Sequence, residues 1–248
     1  MLNAFVWGFI AAFSLVIGGL IASSVTIGQR TLGLIMAFGA GVLVSAVAYE
    51  LVFEAIRTAT MSGFPILGLF AGAATFFLGD RFVSGMGESK AGSTASGDAS
   101  SLAVPMVLGI ILDGIPESVA LGLGMFKGGT VSIAMLFAVF ISNLPEAIAG
   151  TSGLKASGSS TARTLSLWFL IAIICGGASA AGFALLADLP EVWIAFVQTF
   201  AAGAILTMLA NSMIPEAYMY GRKLAGLFLV LGFAVAVCVV VLERASAG

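Results

Sequence analysis

The sequence has no histidine, only two cysteines and six prolines, and charged residues at 9% of its 248 positions. Each shortage excludes something. Without histidine no imidazole is available to a metal site, and no Ser/His nucleophilic pair can be built. Cys175 and Cys238 lie far apart in apolar stretches, so neither a disulfide framework nor a CxxC metal site is on offer. Both read as core residues. Soluble domains carry about 25% charged residues. A chain that is 60% hydrophobic, with a mean hydropathy of +1.15, belongs in a bilayer.

An apolar run of about 20 residues crosses the hydrocarbon as a helix. Eight such runs are legible, at about 3–23, 31–53, 64–79, 102–125, 129–150, 165–187, 191–215 and 224–242. The connections are short, which predicts one membrane domain over residues 1–248. The first run has no Lys or Arg ahead of it, so it reads as a helix of the mature protein and not as a cleaved signal. With the N-terminus outside, the inner connections hold Arg30, Arg81, Lys90, Lys155, Arg163, Arg222 and Lys223, and the outer side only Arg57, Lys127 and Arg244. The positive-inside rule therefore puts both termini outside, in a plasma (inner) membrane. A net charge of −2 identifies no partner beyond the lipid bilayer, and no nucleic-acid partner is expected. Two stretches rich in Gly, Ser and Ala, about 82–101 and 151–163, read as flexible inner loops.

A repeat hides in the helices. "FGAGVLVSAVAYELVFEA" (38–55) aligns without gaps to "FAAGAILTMLANSMIPEA" (200–217), with Phe38/Phe200, Gly41/Gly203, Glu54/Glu216 and Ala55/Ala217 among the identities. "IPESVALG" in span four resembles "LPEAIAG" in span five. If spans 1–3 and 6–8 are the copies, the second runs through the membrane in the opposite sense. Inverted repeats around a central, interrupted pair are a transporter signature. The expected fold class is an all-α polytopic membrane protein: eight transmembrane helices, with helices 1–3 and 6–8 an inverted repeat around a helix 4/5 pair.

Six acids fall within or at the ends of the runs: Glu50, Glu54, Asp113, Glu117, Glu146 and Glu216. An ionised group at mid-membrane costs about 2.5–3.5 kcal/mol even on the translocon scale. No Lys or Arg lies inside the runs, so compensation must come from protons, bound cations or water. An anion carrier would need the reverse pattern. Asp113 and Glu117 stand one helical turn apart on one face. Gly109 and Gly124 extend that face and are expected to let a neighbouring helix approach. Pro116 withdraws a donor from the Leu112 carbonyl and is expected to kink span four. Span five repeats the device with Ser142, Asn143, Pro145 and Glu146, and span seven with Asn211, Ser212, Pro215 and Glu216. Carboxylate, amide, hydroxyl and carbonyl oxygens gathered in this way suit a cation. An aspartyl-type membrane enzyme is not expected, since Asp113 is the only Asp inside a run as bounded above.

These paired Pro-Glu motifs, with "AFGAGVLVSAVAYELVFEA" in span two, resemble the ZIP (Zrt/Irt-like) divalent metal transporter family, and its GufA-like bacterial branch in particular. The resemblance covers most of the chain. It implies a metal site built from spans four and five, a bundle that moves against a scaffold, and commonly a homodimer. By position Glu117 and Glu146 match the family's central glutamates. Asp113 stands where span four usually carries a His, and Gly114 where an Asn or Asp would reach a second metal. Ser142 and Asn143 replace the polar pair of span five. Cys175 falls where many relatives have a bridging Glu, and Asn211 and Ser212 where relatives often have His or Glu. The implied cargo is a divalent ion, Zn2+ first by family and Fe2+ or Mn2+ by the oxygen-rich ligand set, with no organic cofactor.

The expected function is therefore secondary transport of a divalent metal through Asp113, Glu117, Ser142, Asn143, Glu146 and Cys175. Glu50, Glu54, Asn211, Ser212 and Glu216 would line the pathway. The alternatives are a non-transporting, metal-sensing or structural relative whose site has decayed, and a proton-coupled carrier of another cation.

Overall fold

A computed structural model describes residues 1–59, 63–93, 100–128, 131–186 and 189–246, with side chains over 1–59, 63–85, 108–125, 131–184 and 189–245. The chain is an all-α polytopic membrane protein. Among the described residues eight helices are long and apolar enough to span a membrane: α1 (Leu2–Ser24), α2 (Gln29–Thr58), α3 (Phe64–Ser93), α4 (Ser100–Gly128), α5 (Ile133–Ala156), α6 (Thr161–Leu186), α7 (Glu191–Gly221) and α8 (Lys223–Ser246). We call the face where α1 starts and α8 ends proximal, and the other distal.

The eight runs are where the sequence puts them, but several bounds move. The apolar span in α3 reaches Gly85 and not residue 79, because Gly79, Asp80 and Arg81 continue the helix instead of ending it. The stretch 151–163 is not a loop: α5 runs to Ala156 and α6 starts at Thr161. A four-residue turn joins them, made possible by Gly158 at φ 84°. Helix also covers 82–93 and resumes at Ser100. Of the other expected loop, residues 94–99 lie outside the described residues.

The helices sort into two bundles by their packing. Helices α1, α4, α5 and α6 form one; α2, α3, α7 and α8 form the other. The seam between them runs along α2–α5, α3–α4, α4–α7 and α5–α8. In the first bundle Trp168 is wholly buried among Leu15, Ala147 and Ile171. Its indole N–H donates to Thr151 Oγ1 at 2.8 Å, tying α6 to α5. The Lys155 ammonium donates to the Ser23 carbonyl at 3.1 Å, where a cation suits the end of a helix dipole.

The repeat is visible in the backbone. The regular α-helical part of α2 begins at Gln29 and ends at Ala46, and that of α7 begins at Glu191 and ends at Met208. The sequence alignment pairs Ala46 with Met208, and its register, extended, pairs Gln29 with Glu191. Both then widen into a π-helical segment, Val47–Phe53 in α2 and Leu209–Met213 in α7. Pro215 follows the second segment, and its ring opposes the carbonyl of residue i−4. No proline follows the first, so proline alone does not cause the widening. Packing repeats as well. A Cβ on Gly41 would collide with the Leu229 carbonyl of α8, and a Cβ on Gly203 with the Leu69 carbonyl of α3. The α2–α8 and α7–α3 pairs are thus the same contact made twice, with α8 in the role of α3.

Two expectations about packing fail. Gly109 and Gly124 have nothing within 4 Å of an added Cβ; the close approach is made instead at Gly122, against the Ser179 carbonyl of α6. Cys238 is not a core residue but lies exposed on α8. There it joins Leu227, Val230 and Leu242 on an exposed apolar side.

Candidate functional site

Site residues of α4 and α5 meet inside the first bundle, next to the seam. Helix periodicity places Asp113, Gly114 and Glu117 along one side of α4, and Ser142, Asn143 and Glu146 along one side of α5. Glu117 is 1% exposed, Ser142 0% and Asn143 4%. Asp113 and Glu146 are half-buried. The three carboxyl groups lie close enough to interact electrostatically, Glu117 with Asp113 and Glu146 with both. Glu117 Oε1 is fully enclosed and accepts no hydrogen bond. The Ser142 side chain lies beside the Glu117 carboxyl, while its hydroxyl donates to the Val139 carbonyl at 3.0 Å. Both Pro116 and Pro145 sit within unbroken α-helix. The widened backbone falls in α2 and α7, not at these prolines.

Cys175 of α6 reaches this group. Its side chain is 2% exposed and lies beside Ser118 and near the Glu117 and Glu146 carboxyls. An added Cβ at Gly114 would stand 3.0 Å from the Cys175 Sγ. Gly114 and Cys175 are therefore a matched pair: the thiol occupies the space a larger residue at 114 would fill.

A cavity of about 270 Å³ leads from the site along the distal half of the seam. Asp113, Glu146, Ser212 and Glu216 supply its polar lining, and Met36 and Ile110 part of its apolar wall. Ser212 also donates to the Met208 carbonyl at 2.8 Å within the widened turn. Asn211 is exposed and does not line the cavity.

Glu50 and Glu54 stand elsewhere, towards the proximal face. The Glu54 carboxylate pairs with Arg57 at 3.3 Å and with Arg244 at 3.4 Å. Glu50 lies beside Ser132 and near Glu243 and Arg244. In the repeat alignment Glu50 corresponds to Ser212 and Glu54 to Glu216. The two sets thus occupy symmetry-related places, one lining a cavity and the other paired with neighbouring side chains.

Sequence reasoning missed Asp80. Once α3 is extended, Asp80 lies inside a span and within electrostatic reach of Asp113. Asp113 is therefore not the only membrane-embedded aspartate. The signal was present as "FLGDRF", but an Asp-Arg pair after an apolar run reads as the end of a helix. Arg81 beside it is exposed. Among the described residues, the ion pairs are those of Glu54 with Arg57 and Arg244, so the central carboxylates have no cationic side chain opposite them. Nor, among the described residues, do three Asp, Glu or Cys side chains form a ready-made metal-binding cluster. The acids are neighbours, not a closed cage.

No protein-family model matches the chain, and no curated protein matches it at a significant level.

Proposed function

We propose that the chain is a secondary carrier of divalent metal cations, with Asp113, Glu117 and Glu146 as the principal ligands. One observation carries the reading: Glu117 is buried with an unpartnered carboxylate oxygen, two further carboxyls lie within reach, and no Lys or Arg among the described residues pairs with it. A buried carboxylate with one oxygen unpartnered and no counter-ion opposite it is disfavoured. A divalent ion that draws the three groups together would supply the missing compensation. The resemblance to the ZIP family supports the same reading, as does the separation of the α4/α5 site from an α2/α3/α7/α8 scaffold by a continuous seam.

Ser142 and Asn143 lie where they can complete or hydrate the ion's shell. Glu216 and Ser212 line the route from the distal face. Zn2+ is the cargo favoured by the resemblance and by a thiol at Cys175; an all-oxygen shell would favour Mn2+ or Fe2+. The homodimer that the family implies belongs to the same proposal. Uptake of Zn2+, Mn2+ and Fe2+ into proteoliposomes tests the reading, with Glu117→Ala as the control. Uptake of at least one ion by the wild type, lost in the variant, is the expected result. If none of the three is taken up, the reading fails.

A second reading is a non-transporting relative. The absence of a ready-made three-residue cluster among the described residues favours it. It predicts neither uptake nor competition between ions.

A further inference from the structure

Among the residues that break the symmetry between the two mouths, one on α8 joins the two bundles. The paired close contacts at Gly41 and Gly203, and likewise at Gly232 and Gly72, set the register of α8 against α3. In that register Glu243 of α8 corresponds to Val83 of α3. At the distal mouth an apolar side chain thus stands where the proximal mouth has a carboxylate.

Both oxygens of the Glu243 carboxylate accept hydrogen bonds. Oε1 accepts from the Ile133 N–H at 2.9 Å. Oε2 accepts from the Ala134 N–H at 3.1 Å and from the Ser132 hydroxyl at 3.5 Å. These donors are the open first turn of α5, the helix that carries Ser142, Asn143 and Glu146. A carboxylate there satisfies orphan amides and complements the positive end of the helix dipole. The cap is supplied by the opposite bundle, across the seam. Its neighbour Arg244 is fixed in turn by Glu54 at 3.4 Å and lies over the Phe53 ring at 5.7 Å. The end of α8 is thus anchored to α2 on one side and to α5 on the other. At the distal mouth the cavity lined by Ser212 and Glu216 lies between α2, α4, α5 and α7.

We propose that Glu243 is a latch: it holds the proximal face closed by fastening α8 of one bundle to the first turn of α5 in the other, and its release admits solvent along the proximal seam. That its release also accompanies transport rests on the carrier reading above. The closure itself does not.

Two measurements separate these claims. Ala138 is 0% exposed and lies on α5 beyond the latched turn, in the core cluster that bridges the seam. The full chain with Ala138→Cys, in a Cys238→Ser background, is treated with a membrane-impermeant maleimide. Labelling is slow when Glu243 is intact. Adding Glu243→Ala speeds it by about tenfold or more, the scale set by losing charge-assisted hydrogen bonds. Glu243→Gln, which keeps one acceptor, gives a smaller increase and decides the matter if the Ala variant does not fold. An unchanged labelling rate in the folded variant overturns the latch. In the second measurement, Ser132→Cys and Glu243→Cys are joined by a short bis-maleimide, and uptake of Zn2+ into proteoliposomes is followed. Joining abolishes uptake that the unjoined protein shows; uptake that persists in the joined protein overturns the link to transport. Absence of uptake in the wild type counts against the carrier reading alone and leaves the labelling result standing.

Discussion

Glu117 sets the chemistry, because one oxygen of its buried carboxylate has no donor and, among the described residues, no cation pairs with it. A side chain kept for stability alone would be hydrogen-bonded. Glu117→Gln removes the buried charge, and unfolding experiments on the metal-free protein are expected to show stability unchanged or raised by about 1–3 kcal/mol, while uptake is lost. A clear loss of stability would mean that the carboxylate is structural. At Gly114 the reverse holds. Gly114→Asn must displace the Cys175 thiol, which stands 3.0 Å from the new Cβ. Overpacking of this kind costs about 1–3 kcal/mol, and Cys175→Ala is expected to recover much of it. A double-mutant cycle in thermal unfolding checks this; additive effects would show that the two positions do not share a space. Much of this group was legible in the sequence, since periodicity alone puts Asp113 with Glu117 and Ser142 with Glu146. The Gly114–Cys175 pairing was not, because it joins α4 to α6 and no local pattern encodes it. Cys238 was misread for a related reason: an apolar residue in a membrane helix faces lipid as readily as core.

The repeat gives the element scale its test. Gly41 and Gly203 admit backbone carbonyls of α8 and α3 at equivalent points. Gly41→Leu and Gly203→Leu each force a helix pair apart, and each is expected to cost about 1–3 kcal/mol by thermal unfolding in detergent. If the repeat is structural the two losses are similar; a large loss at one and none at the other would contradict it. The sequence alignment already paired these positions. What it could not reveal was the widened backbone after Ala46 and Met208, since Val47–Phe53 contains neither proline nor glycine. Pro116 and Pro145 both sit within continuous helix, and the widened backbone falls in α2 and α7 instead. Helix ends were also hard to place. Gly/Ser-rich stretches read as loops, but the residues up to Ala156 and from Thr161 are helical because they continue packed spans.

At the scale of the whole molecule, two four-helix bundles meet along a seam that is hollow on the distal side and fastened on the proximal side. The eight spans were plain in the sequence, because nothing but a bilayer accommodates so many uncharged apolar runs. Their division into bundles was not, since it depends on contacts between helices far apart in the chain. The account requires a cation where the seam meets α4 and α5. Titration of the purified, metal-free protein with Zn2+, with Mn2+ and Fe2+ as competitors, tests this most directly. We expect saturable binding by the wild type, weakened at least about tenfold in a folded Glu117→Gln variant, the loss of a charged ligand being worth about 1.4 kcal/mol or more. Binding equally strong in both proteins, or absent from the wild type, would contradict the account.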